Sequence, residues 1–435
     1  MTPAGTFTSR QGLRYGLLGL PLAFVALPLY VILPNHYARE FGMPLATLGA
    51  VLLGARVFDA VIDPLIGRWS DRLYARSIRS VLMCGAIAAM ILALGFALLF
   101  FPPTREPGAL VLYATALLVL TYAAYSTVSV THQSWGAMLG GDEAQRSRIV
   151  AWREGLGLAG VLLASIAPVV LGLPAMIATF WIALIIGWLA WRSATPPTLQ
   201  RVAATQSSGK NADQQNLWLP FHRPAFRRLI TVFMLNGIAS AVPATLVLFF
   251  VQDRLQAPKA IEPLFLGSYF LCAALSIPLW LQMVRRLGLA RAWLAGMLLA
   301  MVVFVWATRL GAGDTTAFIV VCALSGIALG ADLALPGALL AGVILDAGDR
   351  GRAEGAYFGW WNFATKLNLA LAAGLALPLL GLFGYAPGAR DPAALHALTV
   401  AYCVLPCLLK LAASVALYFL IIRPANTHAL AGTTP

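Results

Sequence analysis

Residues 55–72 read ARVFDAVIDPLIGRWSDR, and the fold follows from this stretch. It lies in an apolar segment from about Leu45 to Trp69, long enough to cross a bilayer. Asp59 and Asp63 are one helical turn apart, so both carboxylates share a face, with Arg56 a turn before them and Gly67 a turn after. An acid at membrane depth costs roughly 2.5–3.5 kcal/mol on insertion scales, and such residues are functional by default. Two ionised acids this close repel unless a cation sits between them. Pro64 has no N–H, which frees the Ala60 carbonyl between the two acids. Two carboxylates and a freed carbonyl suit a proton or a small hard cation. The bland alternative is an acid pair neutralised by Arg56 for structure alone.

Composition sets the class. The chain has 435 residues, 60% hydrophobic and only 11% charged, against about 25% charged in a soluble protein, so it is a polytopic helical membrane protein. Its net charge of +13 does not point to nucleic acid, because the basic residues fall at the ends of apolar segments and not in one patch. Cys84, Cys272, Cys322, Cys403 and Cys407 lie in apolar runs without metal-ligand spacing and read as small core residues. Arg10 and Arg14 precede a long apolar run with no small-residue cleavage site, so the first helix is expected to stay in place.

Taken in order, the first helix runs from about Gly12 to Leu33 with Pro21, Pro28 and Pro34, followed by an external turn over Asn35 to Pro44. The second helix ends in a basic inner loop, Asp71 to Arg79. The fourth has an unusually polar inner half, including Ser126, Ser129, His132 and Gln133, and the fifth carries Arg153 and Glu154 near its start. Residues 193–216 read as a flexible linker, and LWLPFHRPAFRRL (217–229) as an interfacial segment. Six further apolar runs follow. The expected architecture is an all-α membrane protein of twelve transmembrane helices: a six-helix bundle over 1–192, a cytoplasmic linker over 193–226 and a second six-helix bundle over 227–435. Lys and Arg concentrate in the loops on one side, which places both termini in the cytoplasm.

The halves echo each other. LGARVFDAVIDPLIGRWSDR (53–72) has a weak counterpart in LGSYFLCAALSIPLWLQMVRRL (266–287), where Pro64 falls on Pro278 but Asp59 and Asp63 fall on Ala273 and Ile277. Parallel six-helix repeats with a midplane site are the pattern of a transporter, and the loss of acids from the second copy assigns the cation site to the first half.

On these residues the chain resembles the major facilitator superfamily and, within it, the glycoside–pentoside–hexuronide:cation symporters. The sharpest motif is D-A-x-x-D-P, here Asp59, Ala60, Asp63 and Pro64; Arg153 and the run RAEGAYFGWWNFATKL (352–367), which brings in Lys366, support it. The resemblance implies alternating access, with Asp59 and Asp63 in the cation site and Arg153 and Lys366 lining a central cavity. Ser126 stands where the family has a coordinating Thr. The chain also departs from the pattern. Sugar-holding acids of the family fall at Ala23 and Ser129, a family Trp falls at Gln133, and the Asn that assists Na⁺ is Ile62. The departures disfavour simple galactosides and favour a proton over sodium. Lysolipid symporters of the same superfamily keep the acid pair, so the motif does not decide between sugar and lipid.

Other candidates carry two readings each. Lys366 is either a structural partner for Asp59 or Asp63 or a counter-ion that exchanges partners, and Asp332 is a cavity or ion-pair residue. His132 and Gln133 bind substrate or hydrogen-bond between helices, the commoner fate. Trp361 stacks on a sugar ring or packs. No H-E-x-x-H, G-x-S-x-G, P-loop or C-x-x-C is present, which speaks against an enzyme. A channel or scramblase would not need a coupled acid pair. The expected protein is a monomeric cation-coupled (H⁺ before Na⁺) symporter in a bacterial inner membrane. It needs no cofactor, no metal beyond Na⁺ at the acid pair and no nucleic acid. Arg56, Ser129, His132, Gln133, Arg153, Asp332, Trp361 and Lys366 are expected at the substrate cavity. The substrate is a small organic solute such as a modified sugar or glycoside, or alternatively a lipid or lysolipid, with membrane lipids as surroundings.

Overall fold

Thr8 starts the first helix with a capping box: its side chain accepts from the Gln11 N–H while the Gln11 side chain accepts from the Thr8 N–H. In the computed structural model, which describes residues 7–170, 172–197, 216–386 and 388–424, this helix (α1) runs Ser9–Glu40. It is not straight. A π-helical turn over Pro28–Ile32 absorbs Pro28, and Pro34 falls in the first turn of the segment Leu33–Glu40. Proline in a first turn lacks only a donor that would have no helical partner, so the helix continues where an external turn from Asn35 was expected.

The second helix, α2, spans Leu45–Arg76 and runs through Pro64. Here too the expected inner loop from Asp71 shortens. Only Ser77 is extended before α3 (Ile78–Phe100), and its side chain caps α3 by accepting from the Ser80 N–H at 3.1 Å. Leu73 and Tyr74 are buried, and the Tyr74 hydroxyl donates to the Thr131 carbonyl at 2.8 Å, so packing holds the last turns of α2 helical. The helix is two-faced. Ala55, Asp59, Asp63, Ile66 and Ser70 are buried, while Leu53, Val57, Val61 and Leu65, four residues apart, are each more than half exposed. An exposed apolar stripe on a spanning helix is its lipid face, so both acids point away from lipid.

The chain continues through α4 (Pro107–Leu139), α5 (Glu143–Val170), α6 (Gly172–Arg192), α7 (Pro224–Arg254), α8 (Glu262–Leu287), α9 (Leu289–Ala307), α10 (Thr315–Asp346), α11 (Glu354–Leu382) and α12 (Pro392–Ile422). Among the described residues, ten of these helices are long and apolar enough to cross a membrane by length and composition; α2 and α11 stand outside that set. By its contacts the chain divides into two compact units, Met1–Pro220 with Ala341–Phe363, and Phe221–Leu340 with Ala364–Pro435. Of the expected linker over 193–226, residues 198–215 lie outside the described residues.

Close backbone contact between helices builds both units. In the first, a Cβ on Gly19 of α1 would lie 2.5 Å from the Arg153 carbonyl of α5, and one on Gly160 would lie 2.1 Å from the Leu20 carbonyl. In the second, Gly326 of α10 meets the Tyr269 carbonyl of α8 in the same way, and the Phe250 and Tyr402 rings stack at 4.2 Å. In the second unit the Asp253 carboxylate, near the end of α7, accepts from the Tyr385 hydroxyl and from the Gly388 N–H at 2.9 Å. Burial first, and then the bond to Asp253, hold the Tyr385 phenol above its ordinary pKa, so this tie persists at alkaline pH.

Candidate functional site

The polar C-terminal half of α4 packs against the buried face of α2. Asp59 is 2% exposed and Asp63 0%, and the Ser126 hydroxyl, fully buried, donates to Asp59 Oδ1 at 2.9 Å. The three residues expected to form the cation site therefore share one buried locus. Arg56, a turn away, is exposed and sets its guanidinium 4.3 Å over the Tyr30 ring of α1. Further along α4, the Gln133 amide donates to Ser129 Oγ at 3.3 Å, and Ser129 is buried.

His132 is placed differently from a cavity residue. It is 0% exposed, its Nε2 pairs with the Tyr15 carbonyl at 2.8 Å, and its ring stacks on Tyr15 at 4.4 Å. The Tyr15 hydroxyl returns a bond to the His132 carbonyl at 3.1 Å. Two reciprocal bonds and a stacked ring make His132 a tie between α1 and α4. Arg153 pairs with its neighbour Glu154 on α5. Trp361 is buried in the first unit, and Lys366 lies half-buried further along α11, in the second.

Asp332 also has a partner set, and one that sequence reading missed. Its Oδ2 pairs with Lys410 Nζ of α12 at 3.1 Å and accepts from Ser240 at 3.3 Å. Its Oδ1 accepts from Asn236 at 3.0 Å and from the Trp293 indole at 2.8 Å. Lys410 gives its remaining donors to Asn236 Oδ1 at 2.7 Å and Ser240 Oγ at 3.1 Å. A lysine inside an apolar run (395–422) was the available signal, since the cost that marks Lys366 applies equally to Lys410.

Asp71 was missed as well. Its carboxylate accepts from the N–H groups of Gly355 at 2.6 Å and Ala356 at 3.0 Å, capping the start of α11, and it pairs with Arg68 at 3.2 Å. The close approach needs glycine: a Cβ on Gly67 would lie 2.0 Å from the Gly355 carbonyl. Arg350 donates to the Met138 carbonyl at 2.8 Å, which ties the same region to the C-terminal end of α4. Among the described residues no group of three or more His, Cys, Asp or Glu could hold a metal ion.

Comparisons with known proteins bear on the family and the fold. A putative glycoside/cation symporter of Escherichia coli K12, YagG, is 30% identical over 160 residues, 36% of this chain. That alignment spans 34% of the relative, about a third of its length. The glucuronide carrier protein homolog of the same organism is 25% identical over 411 residues, covering 89% of this chain and 87% of the relative. Among solved structures, an outward-facing bacterial homologue of the iron transporter ferroportin superposes with a TM-score of 0.68 at 17% identity, over 94% of this chain and 99% of that one, which shows the fold. The MFS/sugar transport protein family matches residues 14–423. The chain is thus an integral membrane transporter that belongs to the MFS/sugar transport protein family, and its resemblance to the glycoside–pentoside–hexuronide:cation symporters is borne out.

Proposed function

We propose that this transporter couples the uptake of an anionic or otherwise modified glycoside to a cation gradient, with a proton as the preferred ion. The observation that carries the reading is the buried locus of Asp59, Asp63 and Ser126 on α2 and α4. Two carboxylates one turn apart repel when both are ionised, and binding a proton or a cation relieves that repulsion. The ion thereby changes the charge of α2, giving a two-state element for alternating access to act on. Ile62 offers no oxygen beside Asp63, which supports the proton, whose binding needs one carboxylate oxygen and not a coordination shell.

The substrate reading rests on charge. Ala23 and Ser129 supply no carboxylate for sugar hydroxyls. Arg153 supplies a guanidinium now paired with Glu154, and an anionic substrate would compete for it through a bidentate bond. The glucuronide carrier homolog is named for a sugar of that charge. Positive-inside loops support a bacterial inner-membrane protein with both termini in the cytoplasm. The test is uptake of a glucuronide and a neutral galactoside into proteoliposomes under an imposed pH gradient or an imposed Na⁺ gradient. Accumulation of the glucuronide on the pH gradient alone, unaffected by excess galactoside, is expected. Strict dependence on Na⁺, or tight galactoside binding that Arg153→Ala abolishes, would overturn the reading.

A further inference from the structure

Between α3 and α6 the first unit leaves a groove of about 370 Å³ that its own side chains do not fill. Its floor is three alanines of α3, Ala86, Ala89 and Ala93, and its wall is Trp181, Ile185 and Trp188 of α6. The Trp181 indole donates to the Ala93 carbonyl at 2.9 Å and fixes the wall to the floor. Flanking side chains on both helices, Met83, Ile87 and Met90 with Ile182, Ile186 and Leu189, are about half exposed or more. This surface therefore faces lipid, and a void of that size is foreign to a packed interior.

One end of the groove is basic. Arg192 closes α6 one turn beyond Trp188, with its guanidinium 5.8 Å from the Trp188 ring. Arg79 opens α3 on the face that continues through Met83 and Ala86 at helical spacing. Arg14 of α1 reaches the same end, donating to the Ser193 carbonyl at 3.2 Å.

We propose that this groove is a binding site for an anionic phospholipid. One acyl chain lies along the alanine floor against Trp181 and Trp188, and the phosphate pairs with Arg192 and Arg79. Basic pockets between spanning helices select anionic head groups on charge, and the volume is at the low end of ordinary ligand sites.

The test reads tryptophan quenching in phosphatidylcholine vesicles doped with acyl-brominated phosphatidylglycerol or acyl-brominated phosphatidylcholine. The Trp188 signal is the difference between the wild type and Trp188→Phe. Brominated phosphatidylglycerol is expected to quench it at a mole fraction on the order of tenfold lower than brominated phosphatidylcholine. The double variant Arg79→Gln/Arg192→Gln, altered only at exposed side chains, should erase that preference. Ala86→Phe, which fills the groove, should weaken quenching by both lipids with the arginines intact. Equal quenching in the wild type, or a preference that survives the double glutamine variant, would overturn the proposal. So would protection of Trp188 from both lipids by self-association, read as a doubled mass in detergent. None of these readouts uses transport, so failure here and failure of the symport reading are separate results.

Discussion

Asp63 and Asp332 are both carboxylates near the middle of long helices, but the two sites are built differently. Asp332 sits opposite an ammonium: Lys410, Asn236, Ser240 and Trp293, from α12, α7 and α9, give it four hydrogen bonds, and all three donors of Lys410 are used. Asp63 shares its helix face with a second acid, Asp59, whose Oδ1 accepts a hydrogen bond from the Ser126 hydroxyl. In the second unit charge is matched inside the protein, so four helices are fastened to one another and no ion is needed. In the first unit two carboxylates share one buried face of α2, the arrangement on which the proposed ion site rests. A buried pair with all its hydrogen bonds made holds an architecture together, and on our proposal the two acids of α2 answer instead to an ion.

The largest effect that tests this contrast is on Asp63. Asp63→Asn removes one of the like charges and should abolish gradient-driven accumulation while leaving the protein folded, as measured by uptake and by melting of the purified protein. Full accumulation by this variant would remove Asp63 from the coupling site. Next comes Lys410→Met, which strands Asp332 in the protein and should destabilise it by about 3–5 kcal/mol. Asp332→Asn/Lys410→Met removes both charges and should recover most of that loss in the melting temperature, with coupled uptake retained. A double variant that folds but no longer couples would show the second unit to be part of the ion pathway and would end the distinction.

Ser126→Ala probes the first site more gently. It takes away one hydrogen bond to a charged group, worth about 1.5–3 kcal/mol, and should shift the pH or ion concentration of half-maximal uptake without abolishing transport. An unchanged dependence would place Ser126 outside the ion site. The smallest effect is expected at Asp71, a third acid of α2 with a plainly structural job. Asp71→Asn keeps one acceptor for the α11 N-terminus and loses the charge, so a loss of about 1 kcal/mol in thermal stability is expected with ion coupling intact. Altered ion selectivity in this variant would merge Asp71 with the acid pair.

Twelve long helices and the sidedness of α2 were readable from residue order, because hydrophobic length and one-turn spacing are local properties. The grouping of Asp59 with Asp63 needed nothing but their spacing. Ser126 could be named as a partner only through resemblance, since α4 is remote in sequence and a hydroxyl gives no signal by itself. Helix ends were misread where the tertiary structure overrides local cues: Pro34 continues α1, and Tyr74, bonded to Thr131, carries α2 past Asp71.

What the sequence determined alone is the membrane class, the repeat and the presence of two acids on one buried face, all consequences of the cost of polar groups in hydrocarbon. What only tertiary structure decided is which polar residue answers which. His132 proved to be a tie to Tyr15, Asp332 belongs to Lys410, and Asp71 caps α11 through Gly355 and Ala356. Each pairing joins helices separated by 78 to 285 positions along the chain. Burial cost says that a polar group must find a partner, but only the packing of helices, set by glycine contacts such as Gly67 on Gly355, says which partner lies within reach.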